Sequence, residues 1–107
     1  MTATKNHSVE IIRYSIPQES RVKFEDAYRS AGVHLKSSPY CLGYEVIRGI
    51  EEPDKYMVRI HWTSIEDHLN GFGKSEDFSA FFIHIKPFYN LIEEMKHYET
   101  VSAMWNE

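Results

Sequence analysis

Residues 41–64 read CLGYEVIRGIEEPDKYMVRIHWTS, and this stretch predicts two β-strands joined by a short turn. β-Branched and aromatic residues dominate both ends of it, and the Pro-Asp pair within EEPDK is typical of a hairpin turn. Side chains alternate between the two faces of a strand, so Met57, Arg59 and His61 point away from the apolar set. That apolar set consists of Tyr56, Val58, Ile60 and Trp62.

The segment before the hairpin predicts one strand and one helix. SVEIIRYSIP is rich in β-branched and aromatic residues and ends at Pro17, so we expect a strand over about residues 8–16. From Gln18 the apolar residues follow a helical period and the charged residues form a solvated face, which indicates an amphipathic helix. This helix should end at KSSPY, because Pro39 disfavours helical geometry at Ser38.

The segment after the hairpin predicts a broken helix and a last strand. Ser64 is a suitable N-cap, and Asp67 follows at the position where a carboxylate can pair with the cap. Gly71 and Gly73 should break this helix on either side of Phe72. A further helix is expected after Ser75, and the chain then becomes β-like over residues 95–103.

The predicted order of elements is β–α–β–β–α–β, which is typical of an α+β ferredoxin-like fold. In that fold one antiparallel sheet carries its helices on one face, and 107 residues suffice for one domain, 1–107, with an ordered core of about 8–104. The opposite face mixes apolar and charged side chains, which favours a homodimer in which two sheets pack together. In the hairpin, the residues on this opposite face of the sheet are Glu45, Ile47, Met57, Arg59 and His61.

Composition excludes several classes of function. The formal charge is −4 and the pI is near 5.8, and no basic stripe is present, so nucleic acid is not an expected partner. No apolar run approaches the length of a membrane span, and MTATKNHSVE has no signal-peptide pattern, so a cytoplasmic location is expected. The lone cysteine, Cys41, predicts neither an internal disulfide nor a zinc cluster.

Three segments carry a resemblance to a known family. The strand YMVRIHW, the following TSIEDHLNGFGKSEDFSAFF and the closing IEEMKHYE are similar to those of the antibiotic biosynthesis monooxygenase domain family, within the dimeric α/β-barrel superfamily. The likeness extends from about Val9 to Glu99. The resemblance implies a cavity between the sheet and the helices. Trp62 matches the Trp that ends the corresponding strand in the family, which lies at this cavity. Members include cofactor-independent monooxygenases of polycyclic phenols, quinol oxidases and haem-degrading enzymes.

The sequence departs from the family pattern at two positions. The family's helix histidine usually falls where this chain has Gly71 or Phe72, whereas His68 lies only six residues after Trp62 and is at best a displaced equivalent. The haem-degrading branch also has an Asn on the first strand, and SVEIIRYSIP contains none. Haem binding is therefore disfavoured.

The family likeness and the aromatic inventory together predict a site for a small aromatic phenol or quinol that reacts with O2. His68 and Trp62 are the predicted catalytic residues, and the predicted substrate-binding residues are Phe72, Phe82, Tyr14 and Tyr44. Phe78 and Phe81 fit a core stripe better, and His97 could face either side of its strand.

No cofactor is expected at this site. No metal is expected either, because HWTSIEDH is not HExxH and no histidine pair has helical ligand spacing. The alternative function is a dimeric barrel that binds ligands or serves a stress response without catalysis.

Overall fold

The computed structural model describes residues 7–105 and contains one four-stranded antiparallel sheet. Its strands are β1 (Ser8–Ser15), β2 (Cys41–Arg48), β3 (Lys55–Trp62) and β4 (Ile92–Tyr98). They lie in the order β2-β3-β1-β4, so the predicted hairpin of β2 and β3 forms one edge and β1 lies between β3 and β4. The ferredoxin-like fold class is confirmed. The N-terminal segment that lacks a signal-peptide pattern lies mostly outside the described residues.

Two helices pack on one face of this sheet. Helix α1 (Arg21–Lys36) follows a short 3-10 turn at Gln18–Ser20, and helix α2 (Glu76–Ile85) leads into a longer 3-10 segment at Lys86–Leu91 that contains Pro87. Helix α1 ends before Pro39, as its sequence predicts. None of the helices among residues 7–105 is long and apolar enough to cross a bilayer.

The connection between β3 and α2 is a compact chain of turns. The hydroxyl of Ser64 accepts a hydrogen bond from the Asp67 backbone N–H at 3.0 Å, which confirms the predicted cap. The backbone then widens into a π-helical turn at Asp67–Gly71 and tightens into a 3-10 turn at Phe72–Lys74. Ser75 caps α2 by accepting from the Phe78 N–H at 3.3 Å. The break predicted around Phe72 is therefore a change of helix type.

The boundaries predicted for the last strand were wrong. Strand β4 begins at Ile92, where it pairs with Tyr14 of β1 across an irregularity, and ends at Tyr98, which pairs with Val9. β1 begins at Ser8, and among residues 7–105 the β-like residues that follow Tyr98 pair with no strand. They remain exposed, as in the case of Val101.

The core lies between the sheet and the helices and is mainly aromatic. The apolar face predicted for β3 is confirmed, because Tyr56, Val58, Ile60 and Trp62 are all buried. Phe24 of α1 packs against Tyr14, Tyr28 and Tyr56 with ring centroids 4.8–5.2 Å apart. This half of the core is densely packed, and open space occurs on the other side, beneath α2.

Gly71 permits a close approach that a side chain would block. A Cβ atom at Gly71 would lie 2.7 Å from Cε2 of Tyr40, whereas a Cβ at Gly43 would meet nothing within 4 Å. We therefore expect Gly71→Ala to lower the free energy of unfolding by about 1–3 kcal/mol, as overpacking does. Gly43→Ala is the matched control and should change the free energy of unfolding by less than about 0.5 kcal/mol. Urea denaturation of both variants tests this, and equal stabilities would contradict it.

Candidate functional site

A cavity of about 410 Å³ lies between the sheet and α2. Five of the six predicted site residues line it, namely Tyr14, Trp62, His68, Phe72 and Phe82. Phe78 and Phe81, which the sequence assigns to the core, contact the core cluster and also line the cavity. Leu69, Tyr89 and Met95 are about half exposed and form the rim through which the cavity reaches solvent.

Tyr44 is not part of this cavity. It lies on the edge strand β2, with its hydroxyl against Gly32 of α1, and it lines a separate surface pocket with Glu25 and Arg48. Strand β3 separates β2 from β1, so an inward-facing residue of β2 meets α1 instead of the space beneath α2. For this reason Tyr44 does not lie with the other five predicted site residues at the cavity.

The polar end of the cavity is built around a buried carboxyl group. Glu10 of β1 is 4% exposed, and its Oε1 accepts a hydrogen bond from the indole Nε1–H of Trp62 at 3.1 Å. Burial raises the pKa of Glu10 to about 7, although the bond from Trp62 acts in the opposite direction. Glu10 therefore changes its protonation state near neutral pH.

His68 is held between Trp62 and two polar neighbours. Its ring stacks on the indole of Trp62 with centroids 4.3 Å apart and an interplanar angle of 8°. Its Nδ1 lies 2.7 Å from Nε2 of His97, and its Nε2 lies 3.6 Å from Oε1 of Glu10. Burial, with a smaller contribution from His97, lowers the pKa of His68 to about 4. The imidazole is uncharged at pH 7, so its contact with Glu10 is not an ion pair there.

The π-helical turn explains how His68 reaches Trp62. Within it the N–H of Phe72 bonds to the carbonyl of Asp67, five residues earlier, and such widened turns rotate the side chains on them. His68 and Phe72 both face the cavity, as their i, i+4 spacing predicts, with ring centroids 6.3 Å apart. His68 follows Trp62 by fewer residues than the family's histidine does. It nevertheless contacts the Trp62 indole.

His97 completes the polar cluster from β4. It lies opposite Glu10 in the register of β1 and β4, so both side chains project from the same face of the sheet. It lines the cavity and also a surface groove that contains Ser64, Glu66, Asp67 and Glu99. Partial burial lowers the pKa of His97. This residue connects the buried carboxyl group, through His68, to the protein surface.

Tyr14 lines the cavity, but its hydroxyl group is engaged elsewhere. It forms a hydrogen bond of 2.7 Å with the hydroxyl of Tyr28, and burial raises the pKa of Tyr14 to about 12. The phenol remains protonated at neutral pH. Its ring therefore supplies an apolar wall, whereas the polar contacts come from Glu10, His68 and His97.

Sequence reasoning missed Glu10 and left His97 undecided. A signal for Glu10 existed, because it alternates with Ser8, Ile12 and Tyr14 on the inward face of β1, where a carboxyl group is unusual. The polar side chains of Glu10, His97 and His68 come from β1, β4 and the π-helical turn respectively, so no short sequence motif contains all three. One donor atom from each of Glu10, His68 and His97 lies within 4.8 Å of the others, an arrangement that could hold a metal ion. The expectation that the histidines form no such site considered only local spacing.

Glu10→Gln should make stability less dependent on pH. The folded protein raises the pKa of Glu10 above its unfolded value of 4.5, so burial of this group disfavours folding as the pH rises through about 7. Between about pH 5 and pH 8 the variant should gain up to about 3 kcal/mol in unfolding free energy relative to the unmutated protein.

Denaturation at both pH values, in a buffer with a chelator, measures this difference. Glu51→Gln changes an exposed carboxylate of the β2–β3 turn and is the control. If Glu10→Gln changes the unfolding free energy by the same amount at both pH values, the raised pKa of Glu10 is contradicted.

Comparison with known proteins agrees with this architecture. The family model described as antibiotic biosynthesis monooxygenase matches residues 8–82. The uncharacterized protein YczJ of Bacillus subtilis is 27% identical over 79 residues, which make up 74% of this chain and 83% of YczJ.

Two solved structures share the fold. A Bordetella bronchiseptica protein described by the same family name has a TM-score of 0.73 at 22% identity, over 91% of this chain and 99% of its own. SnoaB, a cofactor-independent oxygenase of Streptomyces nogalater, has a TM-score of 0.69 at 10% identity, over 94% of this chain and 96% of its own. Because the family model covers more than half of the residues, the chain belongs to the antibiotic biosynthesis monooxygenase family.

Proposed function

We propose that this protein is a monooxygenase that oxidises a small aromatic phenol or quinol with O2 and without a bound cofactor. One observation carries the proposal. A buried carboxyl group, Glu10, and an uncharged imidazole, His68, lie together at one end of a cavity whose other walls are mainly aromatic and aliphatic. Such a site can take a proton from a hydroxyl group whose ring is held by the apolar walls.

The size and walls of the cavity suit a small aromatic molecule. Its volume of about 410 Å³ is within the range of small-molecule sites, roughly 300–1,000 Å³. Phe72 and Phe82 can contact the faces and edges of an aromatic ring, and the rim at Leu69 and Met95 provides a way in. The hydroxyl group of the substrate would then point to Glu10, the only inward-facing carboxylate among the described cavity-lining residues.

The chemistry requires the protein to generate an electron-rich anion. A phenol is a weak acid with a pKa near 10, so a base whose pKa lies near neutrality helps to remove its proton. The pKa of Glu10, about 7, meets this requirement. In a dry site the phenolate then transfers electrons to O2, and the aromatic walls exclude water from the intermediate.

The overall reaction balances without another reactant. For a phenol with a free para position, one oxygen atom of O2 becomes the new quinone oxygen and the other leaves as water. The hydrogens of that water come from the hydroxyl group and the para carbon. For a quinol, two electrons and both hydroxyl protons pass to O2 and form H2O2, so this alternative is an oxidase reaction and not a monooxygenation. In both cases Glu10 holds the first proton and returns it, so the protein is unchanged.

Oxygen uptake with a panel of hydroquinones and phenols tests this proposal. The protein should consume O2 above the buffer rate with at least one of them, and Glu10→Gln or His68→Gln should lower kcat by about 100-fold, the usual effect of losing a proton-transfer group. Tyr44→Phe is the matched control and should retain the full rate, because Tyr44 lies outside the cavity.

The opposite result is also informative. If phenols raise the melting temperature but no O2 is consumed, the cavity is a ligand-binding site and the proposed catalysis is excluded.

We also propose that two chains pair through the sheet face opposite the helices. This face presents Ile47, which is 42% exposed, beside Met57 and the ion pair of Glu45 with Arg59. An exposed apolar group among paired charges is better suited to an interface than to solvent.

The variant Ile47→Asp should weaken the dimer at least tenfold, because it places an unpaired charge in the interface. Ile50→Asp, on the β2–β3 turn where Ile50 is 90% exposed, should leave the dimer intact. Sedimentation equilibrium measures both variants. A monomer at micromolar concentration for the unmutated protein would contradict the pairing.

A further inference from the structure

We infer that Glu10, His68 and His97 form a binding site for a divalent first-row transition-metal ion. Two imidazoles and one carboxylate are a common ligand set for such ions, and these three side chains converge from separate elements on one side of the cavity. The inference goes beyond the proposed oxidation, which requires no metal. Metal binding can be measured without any substrate.

The distances between the donor atoms favour one ion. Bonds of about 2.0–2.2 Å to nitrogen and oxygen place neighbouring ligands roughly 3.0–3.4 Å apart on the same ion. Oε1 of Glu10 lies 3.6 Å from Nε2 of His68, and Nε2 of His97 lies 2.7 Å from Nδ1 of His68. These two contacts use the two different nitrogens of the His68 ring, and one ion can bond to only one of them. One ligand atom from each of the three residues nevertheless lies within 4.8 Å of the others, so a single ion can take one nitrogen of His68 together with Glu10 and His97.

The surroundings hold the ligands as metal sites usually do. The indole N–H of Trp62 bonds to the Glu10 carboxylate, and the same indole stacks on His68, so one residue orients two ligands. Both histidines are at least partly buried, and each offers one ring nitrogen within 4.8 Å of a ligand atom of the other two residues. The remaining coordination positions would face the cavity.

A surface groove borders the proposed site. His97 lies in the wall shared by the cavity and the surface groove, and the groove also contains Glu66, Asp67 and Glu99. Three acidic residues around one opening create a negative potential that raises the local concentration of cations. The ligand set contains two nitrogens, so Co²⁺, Zn²⁺ or Fe²⁺ should bind in preference to Mg²⁺ or Ca²⁺, which prefer oxygen alone.

Metal binding should compete with the proposed oxidation. An ion on Glu10 occupies the lone pair that would otherwise accept the proton of the substrate. Proton acceptance and metal binding are therefore alternative uses of the same side chains.

Titration of the metal-free protein with Co²⁺, followed by visible absorption and calorimetry, tests the inference. We expect one ion per chain, and we expect excess Mg²⁺ not to displace it. His97→Gln and Glu10→Gln each remove a ligand and should weaken binding by more than about 100-fold, whereas Trp62→Phe removes no ligand but loses the orienting N–H and part of the surface on which His68 stacks, and should weaken binding by about 10- to 100-fold.

His34→Gln is the matched control. It removes one member of the other histidine pair, because His34 and His84 stack on the helix surface with centroids 5.8 Å apart. Circular dichroism verifies that each variant is folded, and the conservative Gln replacements keep the polar volume. If Co²⁺ fails to bind stoichiometrically, or binds His97→Gln and Glu10→Gln as tightly as the unmutated protein, the inference is overturned. Loss of binding in His34→Gln alone would also overturn it.

Discussion

The hydrogen bond from the Trp62 indole to the Glu10 carboxyl group is the interaction on which the site depends. An unpaired buried carboxylate is costly, and one bond to a charged acceptor is worth about 1.5–3 kcal/mol. Trp62 is the last inward-facing residue of β3, next to β1, so the register of the two strands brings the indole beside Glu10. The same ring then provides the surface on which His68 stacks. Strand register, carboxyl burial and histidine position are therefore linked through one side chain.

The molecule divides into a closed half and an open half. Around Phe24 the aromatic rings of α1 and the sheet leave little space, and even the hydroxyl groups of Tyr14 and Tyr28 satisfy each other. Beneath α2 the rings of Phe72 and Phe82 enclose space instead of filling it. The closed half stabilises the sheet. The open half can then carry a buried polar cluster, whose burial costs folding free energy.

Much of the fold could be predicted because its signals are local. Alternation within residues 41–64 predicts the hairpin and the face of Trp62, and the Ser64 and Ser75 caps locate the turns on either side of Phe72. The end of β4 could not be predicted from propensity, because it depends on where β1 begins. Likewise Tyr44 has the alternation of an inward residue, but the strand order places it under α1.

The candidate site was less predictable because its polar groups come from distant parts of the chain. Alternation could have singled out Glu10, but His97 needed the pairing of β4 with β1, and His68 needed the π-helical turn. The i, i+4 spacing of His68 and Phe72 predicts a shared helix face, but it does not indicate that His68 stacks on Trp62. Burial raises the pKa of Glu10 and lowers the pKa of His68, and burial depends on the three-dimensional environment.

The central claim is that this cluster accepts a proton from a phenol bound in the cavity. The absorption spectrum of a chromogenic nitrophenol, recorded free and bound to the metal-free protein at the same pH, tests it most directly. The account predicts a larger phenolate fraction for the bound molecule, and loss of that excess in Glu10→Gln. A bound nitrophenol that keeps the spectrum of the neutral molecule, or an excess of phenolate that persists in Glu10→Gln, would contradict the claim.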